Sequence, residues 1–188
     1  MSERITAHTH IPLFRVVPRR YIDDAENAAP SQDRTDNRWN TSAFPVLYCC
    51  CSLQVARAVA RLKIRRTGLT LDQISPDRLP ALREILWDGQ VVDMASRGGI
   101  RRAGFPDDYP APATTIGLTQ AAAVRWHAAG REGLVCRSHA LYEVAAERGW
   151  HEPHEPWGEV AIFVRNTKAP ISRRAFLDLS WLEGRLVD

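Results

Sequence analysis

Residues 37–52 read NRWNTSAFPVLYCCCS, and this stretch decides the fold. A polar loop leads into a short apolar run from Val46 to Cys50, which is typical of a strand. Ser52 follows, and because its hydroxyl can accept from a free amide of a first helical turn, we predict a helix from Leu53 to Lys63. A strand-to-helix junction approached by an arginine loop gathers backbone donors and positive charge. Those are the groups that bind a phosphate or pyrophosphate.

Two other apolar runs each carry one polar residue of interest. The run from Leu13 to Val17 contains Arg15 and reads as a strand. Because burying a lone guanidinium is costly, Arg15 either points to water from an edge strand or binds an anion at a cleft. The run from Gly133 ends at Ser138. That serine either caps a following helix or faces the cleft.

These segments together resemble the core of the RES domain family, which is named for its arginine, glutamate and serine. NRWN, then PVLY with the serine and helix after it, and the strand ending at Ser138 carry the resemblance. It covers about residues 13–165 and implies an α+β fold similar to that of ADP-ribosyltransferases. We therefore expect a split mixed β-sheet core with peripheral helices and a dinucleotide site between the sheets. The length predicts a single domain over residues 1–188.

The resemblance also implies an activity. Many RES proteins are bacterial toxins that destroy NAD by hydrolysis or phosphorolysis at the nicotinamide–ribose bond. By this likeness Arg15 and Arg38 contact the phosphates, Tyr48 lies beside the nicotinamide, and Ser138 assists at the cleft. The candidate catalytic residues are Arg38, Tyr48 and Ser138, and the candidate nucleotide-binding residues are Arg15, Arg38, Asn40, Tyr48, Ser52 and Ser138.

The family glutamate is missing from its expected place. Breaking the nicotinamide–ribose bond builds positive charge on the sugar, so a carboxylate near the ribose stabilises the transition state. In RES proteins this glutamate lies on the helix after the tyrosine strand, and here that position is Val59. Another acid could replace it, and the candidates are Glu84, Glu143, Asp107 and Asp108. Alternatively, the reaction has changed or has been lost.

Three functions therefore stay open. The first is an NAD glycohydrolase or phosphorylase, or an ADP-ribosyltransferase, acting as a toxin. The second is a repurposed RES-fold enzyme acting on another nucleotide or small metabolite. The third is an inactive nucleotide-binding pseudoenzyme. The family context implies an Xre-type antitoxin as partner, with nucleic acid contacted only through that antitoxin, and it allows a homodimer.

Composition narrows the class of protein without identifying it. The chain is 45% hydrophobic and 25% charged, with a formal net charge of +3, which describes an ordinary globular protein rather than a nucleic-acid binder. With neither a membrane-length apolar run nor a signal peptide, we expect a cytoplasmic protein without membrane contact. We expect no metal, because the consecutive cysteines 49–51 lack ligand spacing and His151 and His154 are separated by proline.

The remaining pattern predicts the other elements. Residues 1–12 read as an irregular lead-in, 19–36 and 95–113 as loops, and 69–74 as a strand. Apolar residues at 79, 82, 85 and 86 predict a helix that ends at Gly89. We further expect strands over 91–94 and 158–165, a helix over 120–129 closed by Gly130, and a last strand or helical piece within 171–182.

Overall fold

The computed structural model describes residues 3–9, 11–34, 36–110, 116–147, 158–177 and 179–182. Within these ranges eight strands form one mixed sheet in the order β1-β5-β6-β7-β3-β2-β4-β8. The strands are β1 Ile5–His8, β2 Leu13–Pro18, β3 Val46–Cys50, β4 Pro80–Leu86, β5 Gly89–Met94, β6 Gly133–Arg137, β7 Gly158–Phe163 and β8 Ser172–Leu177. The helices are α1 Leu53–Thr67, α2 Arg97–Arg102, α3 Ile116–Ala128 and α4 His139–Glu147, with short 3₁₀ helices at Arg19–Asp24, Ala29–Ser31, Leu71–Gln73 and Leu179–Leu182.

The sheet is split in its hydrogen bonding, and the α+β prediction is confirmed. Strands β5 and β6 pair in parallel, and the other neighbours are antiparallel. In this fully described part of the chain, β2 and β3 share a single register pair, Phe14 with Cys50. Beyond that pair the two strands diverge. The half made of β2, β4 and β8 is thus only loosely joined to the half that ends at β3.

The junction at β3 forms for local reasons. The strand alternates, with Val46 and Tyr48 packing against one apolar cluster and Leu47 and Cys49 belonging to the cluster of the other face. The Ser52 hydroxyl then accepts from the Val55 amide at 3.3 Å, which caps α1 as predicted. The helix ends at Gly68, whose φ of +70° a residue with a side chain rarely adopts.

Three apolar clusters hold the elements together. One lies between α3 and the β3, β5, β6 and β7 face, and it contains a group of large aromatic side chains around Trp39 and Trp126. A second packs α1 and α4 on the β2, β3 and β4 end of the sheet. A third covers the opposite face around Leu13, Leu47 and Ile162. Because both sheet faces are covered, several strands are apolar on both sides.

Several element predictions were wrong for this reason. The segment with apolar residues at 79–86 is strand β4, not a helix, because a strand buried on both faces shows no alternation and mimics helical spacing. Residues 69–74 hold an exposed 3₁₀ turn instead of a strand, with a Thr70–Gln73 capping box. The lead-in contains β1, which pairs with β5, and the segment after Ala95 contains α2. Residues 111–115, His151 and His154 lie outside the described residues.

Candidate active site

The candidate site lies where β3 and β6 end and β7 begins, at one edge of three neighbouring strands. On β7, Glu159 is paired with Cys50 of β3 on one side and with Cys136 of β6 on the other. Strand β3 leads into α1 at this level, and β6 leads through Ser138 into α4. The Glu159 side chain therefore lies between the two strand-to-helix junctions that the sequence singles out.

Tyr48 holds the loop that carries Arg38. Its phenol donates to Asn40 Oδ1 at 2.7 Å and accepts from the Trp39 amide at 3.0 Å. Asn40 is fully buried, and its amide nitrogen donates to the Ser31 and Arg34 carbonyls. Desolvation by the surrounding protein raises the pKa of Tyr48 well above its usual value, so the phenol stays protonated.

This geometry assigns Asn40 a structural position. All of the side-chain bonds described above go to protein atoms, and contact with a nucleotide would require them to rearrange. Ser52 is in a similar situation, because its hydroxyl caps α1. For both residues, a direct role in binding stays a prediction.

Arg38 is half-buried and lies near the strand ends. Its positive charge acts on Glu159, on His139 at the start of α4, and on the buried Tyr109. His139 also pairs with Glu143 through Nε2 at 2.7 Å. Burial and the positive charge of Arg38 lower the pKa of His139, so this imidazole tends to be neutral.

Ser138 and Glu159 are directly bonded. The Ser138 hydroxyl donates to Glu159 Oε1 at 2.6 Å and also accepts from the Leu141 amide at 3.3 Å. Both readings of Ser138 are therefore realised, since it caps α4 and faces Glu159. Desolvation raises the pKa of Glu159, although the Ser138 hydroxyl and the charges of Lys63 and Arg38 act in the opposite direction.

Lys63 on α1 adds a second positive charge. Its Nζ donates to the Val16 carbonyl at 3.4 Å, and its charge interacts with Glu159 and Arg15. The side chain keeps an exposed portion, yet desolvation lowers the pKa of its amine. Glu159 and Tyr48 likewise combine partial exposure with pKa values raised by desolvation. A side chain that is both partly exposed and strongly desolvated lies in a concave part of the surface. Lys63, Glu159 and Tyr48 therefore line a cleft.

Arg15 lies farther from the other predicted residues. By strand alternation it shares the face of Leu13, opposite to Phe14 and Val16. Its Nη2 donates to the Asn27 carbonyl at 2.9 Å, whereas its Nη1 is buried and donates to no acceptor among the residues that the structure describes. Its charge reaches Cys49 and Lys63. The structure thus brings Arg38, Tyr48 and Ser138 together around Glu159, whereas Arg15 lies on the opposite face of the sheet from Glu159, and its contact with a nucleotide stays a prediction.

The four acids suggested by the sequence lie on other strands or loops or have other partners. Glu84 lies on β4, three strand spacings from β7, which is about 14 Å. Glu143 is paired with His139 and Arg65, and Asp107 is held by both Arg101 nitrogens. Asp108 is exposed on the turn after α2.

The sequence reading missed Glu159 and Lys63. The signal for Glu159 was a charged residue inside the apolar strand GEVAIF, the same kind of signal that singled out Arg15. For Lys63 the only signal was its spacing four residues after Val59, which places both on one helix face.

Two further kinds of site are not found. In the part of the chain that the structure describes, no group of three or more histidine, cysteine or acidic residues is arranged to hold a metal ion. No described helix is both long and apolar enough to cross a bilayer.

Comparison with known proteins agrees with this architecture. No curated protein matches the chain. Among solved structures, a chain of the M. tuberculosis MbcT-MbcA toxin-antitoxin complex superposes with a TM-score of 0.67 at 16% sequence identity, covering 96% of this chain and 89% of that one. At that identity the likeness shows a shared fold. The RES domain model matches residues 12–176, most of the sequence. The chain belongs to the RES domain family.

Proposed function

We propose that the protein binds NAD and breaks its nicotinamide–ribose bond, as the toxin of a toxin–antitoxin pair. One observation carries the proposal. The Ser138 hydroxyl donates to Glu159, and the charge of Arg38, which is far from both in sequence, acts on the same carboxyl group, as that carboxyl group acts on the phenol of Tyr48. Membership of the RES family and the fold shared with a chain of a toxin–antitoxin complex add support.

Each residue then has a chemical task. Arg38 offers a guanidinium for the pyrophosphate, and Lys63 adds positive charge nearby. The ring of Tyr48 offers an apolar surface to the nicotinamide, while its hydroxyl fixes the arginine loop. In the reaction the bond between ribose C1′ and the pyridinium nitrogen breaks, and its electron pair leaves with neutral nicotinamide. An oxygen of water or phosphate forms the new bond to C1′, and with water a proton is released.

The direct test follows nicotinamide release from NAD by the purified protein. We expect release, and we expect Arg38→Ala to lower kcat/KM by about 10- to 100-fold, because a charge-assisted hydrogen bond contributes about 1.5–3 kcal/mol. Arg78→Ala is the matched control, since Arg78 is exposed on a loop away from the strand ends. A wild-type protein that neither binds NAD nor releases nicotinamide would refute the proposal.

A second function is favoured by Val59. Valine at the family's glutamate position fits a pseudoenzyme that keeps the nucleotide site without the reaction. It predicts NAD binding that Arg38→Ala weakens, with no nicotinamide released. If NAD neither binds nor reacts, a repurposed enzyme acting on another nucleotide gains support.

The toxin role is tested in cells. We expect the protein to deplete the cytoplasmic NAD pool and arrest growth when expressed alone, and an Xre-type antitoxin encoded alongside to prevent both. Growth arrest that persists unchanged in Arg38→Ala would show that toxicity does not come from this site.

A further inference from the structure

We propose that Glu159, on strand β7, supplies the ribose-facing carboxylate that other RES proteins carry on the helix at the position of Val59. The inference rests on the proposed function and deepens it. It places the catalytic acid on strand β7 of the sheet, whereas the family pattern places it on helix α1.

The first argument is position. Val59 and Lys63 are four residues apart on α1, so their side chains lie one turn apart on the same face. The charge of Lys63 acts on Glu159. A carboxylate at position 59 would therefore lie one helical turn from the amine whose charge acts on Glu159. With valine at 59, the helix leaves that neighbourhood to the sheet's carboxylate.

The second argument is that burying the Glu159 carboxylate costs free energy. The five other residues of its strand are all buried: Gly158, Val160, Ala161, Ile162 and Phe163. Taking a carboxylate into such surroundings is unfavourable unless it is paired. The Ser138 hydroxyl binds the carboxylate directly, and the positive charges of Arg38 and Lys63 favour its ionised form. An apolar residue would serve packing better, so a role in function accounts for the acid.

The third argument concerns the charge that the reaction develops. When the nicotinamide leaves, the ribose becomes an oxocarbenium-like cation, and a preorganised carboxylate stabilises it. Glu159 is partly reachable from solvent, and its Oε1 is oriented by Ser138. The same carboxylate can accept hydrogen bonds from the ribose hydroxyls. Ser138, in this scheme, is a positioning residue for Glu159.

The sheet itself provides a matched control. Glu84, Phe14, Cys50, Glu159 and Cys136 are successive register partners, so they form one row across the same face. Glu84 is thus a second glutamate in the same row, displaced by three strand spacings. Glu84→Gln removes one charge from the same face without touching the strand ends.

The experiment compares nicotinamide release and NAD binding for the wild type, Glu159→Gln, Glu84→Gln and the double variant Val59→Glu/Glu159→Gln. We expect Glu159→Gln to lower kcat by about 10²–10³, the usual effect of removing one preorganised charge-stabilising group. Its NAD affinity, measured by calorimetry, should be retained or increased. Glu84→Gln should stay within about twofold of the wild type. The double variant, with a carboxylate returned to the helix beside Lys63, should regain at least tenfold over Glu159→Gln.

A pH profile separates a catalytic from a structural role. The ionised carboxylate is the active form, so wild-type kcat/KM should rise with pH through the pKa of Glu159, which desolvation places above its usual 4.5. Glu159→Gln should lack this acidic limb. The titratable groups that face Glu159 are Arg38, Tyr48, Cys50, Cys51, Lys63, Tyr109 and Cys136. Because desolvation raises the pKa values of these phenols and thiols, they do not titrate in that range.

The outcomes distinguish the two proposals. Glu159→Gln with more than a third of wild-type kcat, or with an unchanged acidic limb, overturns the role of Glu159 while NAD cleavage stands. Equal losses in Glu159→Gln and Glu84→Gln also overturn it, because a general charge effect would explain both. A wild type that binds NAD without releasing nicotinamide overturns the catalytic role and leaves the binding site. One that does not bind NAD refutes the proposed function as well.

Discussion

Replacing Tyr48 by phenylalanine tests whether the phenol hydroxyl holds the loop that carries Arg38. The change removes one oxygen, which donates to Asn40 Oδ1 at 2.7 Å and accepts from the Trp39 amide at 3.0 Å. Asn40 and Trp39 are buried. Both groups would lose their partner in a place where water does not readily replace it.

The magnitude follows from those two groups. An unsatisfied buried donor or acceptor costs about 1–3 kcal/mol, and the hydrophobic gain from removing the phenol offsets part of this. We expect Tyr48→Phe to lower the free energy of unfolding by about 2–4 kcal/mol. For a chain of this size that corresponds to a fall in Tm of roughly 5–15 °C.

Urea unfolding followed by tryptophan fluorescence, with calorimetry for Tm, measures the change. Tyr21→Phe is the control, because Tyr21 is 49% exposed on the first 3₁₀ helix and should cost less than about 0.5 kcal/mol. A double-mutant cycle with Asn40→Ala should give a coupling energy of about 1 kcal/mol or more. If Tyr48→Phe is no more destabilising than Tyr21→Phe, the phenol does not hold the arginine loop.

Three other predictions test the surroundings of the site. Burial acts to raise the pKa of Asp93, but hydrogen bonds from Ser96 and nearby amides, with the charge of Arg4, outweigh it and lower that pKa. The stability that this carboxylate contributes is present above the unfolded pKa of about 3.9 and is lost as pH falls through the lower folded pKa. Asp93→Asn should therefore make unfolding, followed by circular dichroism, less dependent on pH below about pH 4. Gly133→Ala should lower the free energy of unfolding by about 1–3 kcal/mol in urea, because its Cβ would lie 2.6 Å from the Ala161 carbonyl oxygen. The four thiols should react slowly with a disulfide reagent at pH 8 until the protein is unfolded, because desolvation raises their pKa values, that of Cys51 to about 12. Rapid reaction of more than the partly exposed Cys51 in the folded protein would contradict the buried positions of the other three.

The parts of the fold that were predicted correctly depend on nearby residues. The strand over Val46–Cys50 and the start of α1 follow from a capping serine placed directly after a short apolar run. The closure of α3 near Gly130 is equally local, since the glycine adopts a φ of +71°. Such signals act within one or two turns of chain, and the sequence displays them in full.

The wrong predictions concern elements whose neighbours are distant in sequence. Strand β4 lies between β2 and β8, and its apolar residues face both ways because both faces are covered. Strand β1 has little pattern of its own and exists through pairing with β5. Without the topology, neither a buried inner strand nor a short edge strand is distinguishable from a helix or a loop.

The residues of the candidate site also differ in whether the sequence alone could indicate them. Arg38, Tyr48 and Ser138 were named as candidates because family segments mark them. Glu159 was not named, because its place beside Ser138 follows from the position of β7 between β6 and β3, which the sequence does not show. An acid in a strand sequence can face water or a cleft, and only the order of the strands decides which.

The electrostatics of the cleft explain why the missing helix glutamate and the extra sheet glutamate belong together. The positive charges of Lys63 and Arg38 both act on Glu159, so Glu159 is the anion that offsets them in the free protein. A carboxylate at both 59 and 159 would bring two negative charges to one amine, raise both pKa values and leave one acid protonated. The cleft therefore accommodates one carboxylate, from the helix or from the sheet. If Glu159 is the catalytic acid, as we propose, Val59 is its expected companion on the helix.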